Sequence, residues 1–199
     1  MNKQIVFRHF FSALLLAVVA GLHAQNNFSW EKAYRGTNAD QLTGIAPTSD
    51  GGFIATGTSY SDTGLTKTGF NRDINQVSSD YWVVKCDLQG NVQWEKTYGG
   101  TYQDWTAIAR EHPQGGYIIA GSSMSDIGGE KTDSVRGGGG WADYWIIRTD
   151  AQGNVLWDKT IGGAHMDIAT DVIVTSDMGF LVGGYSRSQA DGEKTQPNH

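Results

Sequence analysis

Three aspartates recur at a nearly constant stride, Asp40, Asp104 and Asp167, each four residues after a glycine that opens a polar connection. Carboxylates repeated in this way could form a ring that holds Ca²⁺ or another polar ligand. The same residue type also builds turns by accepting hydrogen bonds from nearby backbone amides. A residue present in every repeat is read first as a turn former. Asp80 and Asp143, each before a Tyr-Trp pair, and Asp87 and Asp150, each before a turn, carry the same reading. Trp105 and Trp141 fall outside the repeat pattern. Aromatic rings left exposed on loops could stack on a sugar or a partner side chain. The candidate ligand-binding set is therefore Asp104, Trp105, Trp141 and Asp167.

Little else suggests chemistry. His112, His165 and His199 lack metal-ligand spacing, and His9 and His23 fall in the leader. Gly137 to Gly140 is not followed by Gly-Lys-Ser/Thr, so it reads as a loop rather than a phosphate cradle. No nucleophile is singled out beside a base. Cys86 is the only cysteine, so no intramolecular disulfide can form, and a packing role is expected. No cofactor motif is present.

The elements that position these residues begin after an export leader. Lys3 and Arg8 precede an apolar run from Phe10 to Ala20, and Ala24 offers a small residue for cleavage before Gln25. Residues 1–24 read as a signal peptide, too short to span a bilayer. Its removal takes the net charge from −6 to −8, because both of its charges are basic. An acidic exported domain argues against nucleic acid as a partner, and no later stretch is apolar enough for a membrane span.

Residues 25–199 are built from repeats. Asp80-Tyr-Trp-Val-Val-Lys-Cys-Asp-Leu-Gln-Gly-Asn-Val-Gln-Trp-Glu-Lys-Thr-Tyr-Gly-Gly100 returns from Asp143 to Gly163, and its second half occurs earlier from Phe28 to Gly36. Trp30, Trp94 and Trp157 mark the stride and divide the chain into 30–93, 94–156 and a partial 157–199. Each repeated stretch reads as a β-hairpin, with Gly-Asn supplying the positive φ values of its turn. Further strands are expected at 42–48 and 53–59, 106–110 and 117–123, and 169–174 and 180–186. Long loops are expected at 60–79 and 124–142.

Four strands per repeat and no helical periodicity after residue 25 predict an all-β fold, a partial β-propeller with blades of about 63 residues. The alternative is a β-solenoid. Gly57, Gly121 and Gly184 recur inside the second strand and predict close backbone approach. The chain opens on a lone fourth strand and closes after a second strand. The expectation is an open arc with the leader detached, self-associating through its strand edges.

Trp-x-Lys-Thr-x-Gly-Gly, then x-Asp-Gly-Gly-Phe-Ile, then Asp-Tyr-Trp-Val-Val-Lys-x-Asp-x-x-Gly-Asn, resembles the repeats of secreted bacterial β-propeller proteins frequent in Bacteroidetes. Those proteins often end in a type IX secretion sorting domain. Here Arg35 and Met178 each replace a glycine of the pattern, and no sorting domain is present. Neither the docking motif of quinoprotein propellers nor the sialidase Asp box is matched. The resemblance implies an exported or cell-surface binding or scaffold module for a protein or glycan. The alternatives are a glycan-cleaving enzyme on the same frame and a structural spacer in a larger surface protein.

Overall fold

The computed structural model describes residues 15–20, 28–73, 77–138 and 140–198. Twelve strands follow in order: β1 (Leu15–Ala20), β2 (Phe28–Tyr34), β3 (Asp40–Pro47), β4 (Phe53–Ser59), β5 (Asp80–Cys86), β6 (Val92–Tyr98), β7 (Asp104–Glu111), β8 (Tyr117–Ser123), β9 (Asp143–Thr149), β10 (Val155–Ile161), β11 (Asp167–Val174) and β12 (Phe180–Ser186). The fold is all-β. β3-β4-β5-β6 and β7-β8-β9-β10 are antiparallel four-stranded sheets, each hydrogen-bonded in chain order. β1–β2 and β11–β12 are two-stranded.

Alternation along each strand decides how the sheets stack. In β5, Tyr81 and Val83 point to the β7–β10 sheet, where they join Trp145, Ile147 and Ile119 in one core. Trp82, Val84 and Cys86 point the other way and join Tyr34, Phe53 and Ala55. In β8 and β9, Ile118, Ala120 and Ile146 face β11, where Val172 completes a third core. All seven residues of β4, β5 and β8 are buried, because each strand lies between neighbours on both faces and both edges. Cys86 is a free thiol in such a core, as a packing role requires.

The first strands run longer than their apolar pattern, starting at Asp40, Asp104 and Asp167 rather than two residues later. Each carries a register shift, Leu42/Gly44, Trp105/Ile108 and Ala169/Asp171. The bulge interrupts the alternation, and the two residues ahead of it escape detection. In the hairpin turns the positive φ falls on Gly90 (73°) and Gly153 (79°), not on the asparagines that follow. Asn91 instead ties its amide and side chain to the Asp87 carboxylate, at 2.8 and 2.9 Å.

The glycines of the second strands lie at close approaches. A Cβ on Gly57 would sit 2.2 Å from the Gln41 carbonyl oxygen. On Gly121 it would meet the Tyr81 hydroxyl at 2.6 Å, and on Gly184 the Tyr144 hydroxyl at the same distance.

The segment read as a leader is not detached over its described part, residues 15–20. β1 pairs with β2 through Leu15↔Tyr34, Leu16↔Ala33, Ala17↔Lys32 and Val18↔Glu31. This is the register of third strand on fourth, as in Tyr81↔Tyr98, Trp82↔Thr97, Val83↔Lys96 and Val84↔Glu95. Unpaired amides and carbonyls on the β2 edge take the nearest extended segment as a partner. Residues 1–14 and the expected cleavage point after Ala24 lie outside the described residues.

Candidate functional site

The strands have two ends. At one end lie the long loops and the glycine-to-aspartate connections. At the other lie the tight turns.

At the turn end, the repeated aromatic residues act between units. Trp30 donates its indole N–H to the Leu88 carbonyl and Tyr34 its hydroxyl to the Gly90 carbonyl, at 3.0 and 2.6 Å. One repeat later, Trp94 donates to Ala151 and Tyr98 to Gly153 at the same distances. β2 and β6 thereby each latch the hairpin turn of the next unit. Gly90 and Gly153 lie against these rings, and a Cβ on either would come within 2.9 Å of the indole.

At the loop end, the aspartates build turns. Asp40, Asp104 and Asp167 are buried and accept the amides of Gly36, Gly100 and Gly163, at 2.6, 2.9 and 2.8 Å. Ser59 reaches Asp40, Ser125 reaches Asp104 and Ser188 reaches Asp167. Asp80 and Asp143 are also fully buried and accept the amides of Arg72 and Arg136.

Two lysines lie among these acids with about one hundredth of their surface exposed. Lys67 donates to the Gly69 carbonyl, and Lys131 to the Thr160 hydroxyl. The Lys131 ammonium also lies 5.2 Å from the centre of the Trp145 ring. Burial pushes the Asp80 carboxyl up to about 8, with the charge of Asp104 adding to it. Burial likewise raises Asp104 to about 7 and Asp143 to about 6, and Asp167 adds to the latter. Burial lowers Lys131 to about 8. Desolvation disfavours the charged form of each group.

Ion pairs bolt successive loops together. Arg72 of the first loop holds Glu130 of the second, with Nε to Oε2 at 2.9 Å. Arg136 holds Glu193 one repeat later, at 2.8 Å, and Asp133 at 2.9 Å.

The four candidate residues do not converge. Asp104 and Asp167 are buried within separate turns. Trp105 is half-buried at the β7 bulge, where it pairs with Ser122. Trp141 is 37% exposed and lies against the exposed His165, with ring centres 6.3 Å apart. Among the described residues, no group of three or more His, Cys, Asp or Glu side chains could hold a metal ion. No helix among them is long and apolar enough to cross a membrane.

Two clefts lie elsewhere. A groove of about 450 Å³ lies beside β6, lined by Thr68, Arg72, Glu95, Glu130 and Asn154. A groove of about 500 Å³ lies where the first strands meet, lined by Ile45, Pro47, Arg110, Glu111 and Ile173. None of the four candidate residues lines either one. Arg72, Glu130 and Arg110 were missed by sequence reasoning. Arg72 and Arg136, and Glu130 and Glu193, recur at the repeat stride, and this was the available signal.

No protein-family model matches the chain, and no curated protein matches it.

Proposed function

We propose that this chain is an exported β-propeller-type binding or scaffold module that engages a protein or glycan through its loop end. The observation that carries the reading is the repeated latch, Trp30 and Tyr34 onto one hairpin turn and Trp94 and Tyr98 onto the next. Such a latch stacks four-stranded units with a constant offset, as blades stack around an axis. The first strands run side by side in support of this, with Thr43 Oγ1 2.5 Å from the Ala107 carbonyl and Thr106 Oγ1 3.1 Å from that of Ala169. Antiparallel pairing within every sheet favours blades over a β-solenoid.

Binding rather than catalysis fits the loop end. Its buried carboxylates support turns, whereas Trp141, Phe70 at 62% and Tyr102 at 60% exposure offer rings to a ligand. The leader fits a signal peptide removed after Ala24, which puts the mature chain outside the cell or on its surface.

An array of oligosaccharides and peptides probed with the full chain tests this reading. The expected result is retention of a ligand that leaves intact, weakened about tenfold in Trp141→Ala, the loss of roughly 1.4 kcal/mol of binding. Release of cleaved ligand, or binding indifferent to Trp141, would overturn it.

A further inference from the structure

The two long loops meet one repeat position with different residues. Gly69 of the first corresponds to Asp133 of the second, and around it Arg72 corresponds to Arg136, Lys96 to Lys159 and Thr97 to Thr160. Asp133 is gripped by three residues. Arg136 donates to its carboxylate from Nη1 and Nη2, at 2.9 and 3.1 Å. Lys159 Nζ lies 2.8 Å away, and the Thr160 amide donates at 3.1 Å. Hydrogen bonds from Arg136, reinforced by Lys159, hold the Asp133 carboxyl well below the ordinary carboxylate range.

The first repeat builds the same grip. Arg72 donates to the Phe70 and Thr97 carbonyls and to Glu130, as Arg136 donates to the Ser134 and Thr160 carbonyls and to Glu193. Among the described residues, the two bonds to Asp133 lack a counterpart, since Gly69 has no carboxylate to accept them. Thr97 lies opposite Trp82 in the register of Thr160 opposite Trp145. The Thr160 hydroxyl donates to the Asp133 carbonyl at 2.7 Å and accepts from Lys131. The Thr97 hydroxyl is buried without a partner, 2.6 Å from where a Cβ on Gly69 would lie.

Gly69, Arg72, Lys96 and Thr97 together line the groove of about 450 Å³, whose far wall is Gly153, Asn154 and Val155 of the next unit. The acids of this groove are already engaged. Glu95 accepts the Thr68 and Gly69 amides at 2.8 Å and the Trp82 indole at 2.6 Å, and Glu130 accepts from Arg72. The second repeat has the matching acids, Asp158 and Glu193, with like partners, and still holds the Asp133 carboxylate.

We propose that the groove beside β6 binds the carboxylate of an aspartyl side chain on another peptide, in the place that Asp133 fills one repeat later. Arg72 supplies the planar fork, Lys96 turns in from Asn154, which it reaches at 3.4 Å, and the Thr97 hydroxyl adds a neutral donor. A peptide is favoured over an acidic sugar because the matching cradle in this molecule holds an aspartate. The volume suits a short segment of chain. None of these residues is Trp141, so this site and the loop-end reading can fail separately.

The test titrates the full chain with the acetylated, amidated hexapeptide Gly-Ser-Asp-Ser-Gly-Gly, with its Asn counterpart, and with digalacturonate. The aspartyl peptide is expected to bind about tenfold more tightly than the Asn peptide, a difference of roughly 1.4 kcal/mol that shrinks at high salt. Its binding should shift the NMR signal of the Thr97 amide. Gly69→Asp should abolish the binding by supplying the chain's own carboxylate, and should melt roughly 2–4 °C above Gly69→Asn. Equal binding of the two peptides, binding of neither, or an unmoved Thr97 signal at saturation would overturn the proposal. Tighter binding of digalacturonate, or equal melting of the two Gly69 variants, would also overturn it. Loss of binding in Trp141→Ala would place the peptide at the loop-end rings instead and would equally overturn it.

Discussion

The two ends of the strands join the same units with opposite chemistry. At the turn end the join is neutral, an indole and a phenol each donating to a turn carbonyl. At the loop end it rests on buried ionisable groups, Lys67 and Lys131 among Asp80, Asp104 and Asp143, with the Arg72–Glu130 ion pair closing it. Neutral hydrogen bonds beneath a large aromatic ring add stability with little dependence on pH or salt. Buried charges are expensive, and their net contribution to stability is often small. The comparison assigns stability to the turn end and the fixing of loop geometry to the loop end.

The largest effect should come from removing a latch. Trp94→Ala should destabilise the chain by about 3–5 kcal/mol in denaturant unfolding, since the ring packs on the core between the four-stranded sheets. Trp157→Ala should cost clearly less, because the Trp157 ring is 42% exposed. Equal losses would remove the special place given to the latch.

A smaller effect isolates the hydrogen bond. Tyr98→Phe keeps the ring and leaves the Gly153 carbonyl without its 2.6 Å donor. The expected loss is about 1 kcal/mol, unchanged between pH 5 and 9. A loss that varied with pH would tie the turn end to ionisation and break the contrast.

The smallest effect belongs to the partly exposed clasp. Arg72→Ala should cost up to about 1 kcal/mol and cost less at high salt, because the side chains of Arg72 and Glu130 are 29% and 26% exposed. Thermal unfolding at low and high salt checks this.

Much of this frame was legible from periodicity alone. The boundaries of β4, β6, β8 and β12 follow from apolar alternation bounded by glycine turns. The Trp spacing marked the repeat, but the residues that the indoles reach lie about 58 positions away and carry no local pattern. The turn role of Asp40, Asp104 and Asp167 was readable because Asp in a polar connection has amides at hand. The burial of Lys67 and Lys131 was not readable, since lysine is normally a surface residue. The placement of β1 was obscured because an apolar run reads as a leader whether or not it also pairs with a strand.

The central contrast is tested most directly by the pH dependence of stability in the full chain and in the Asp80→Asn, Asp143→Asn variant. Both carboxyls lie above the ordinary range in the folded state, near 8 and 6, because burial disfavours their charge. The folded chain therefore binds more protons than the unfolded one between about pH 4 and 8. This contribution is fully present below pH 4 and is lost as pH rises through the folded values. Denaturant unfolding from pH 5 to 9 should show stability falling in the natural chain and a distinctly flatter curve in the variant. Two parallel curves would contradict the account, because the loop end would then not be held by buried, proton-binding carboxyls.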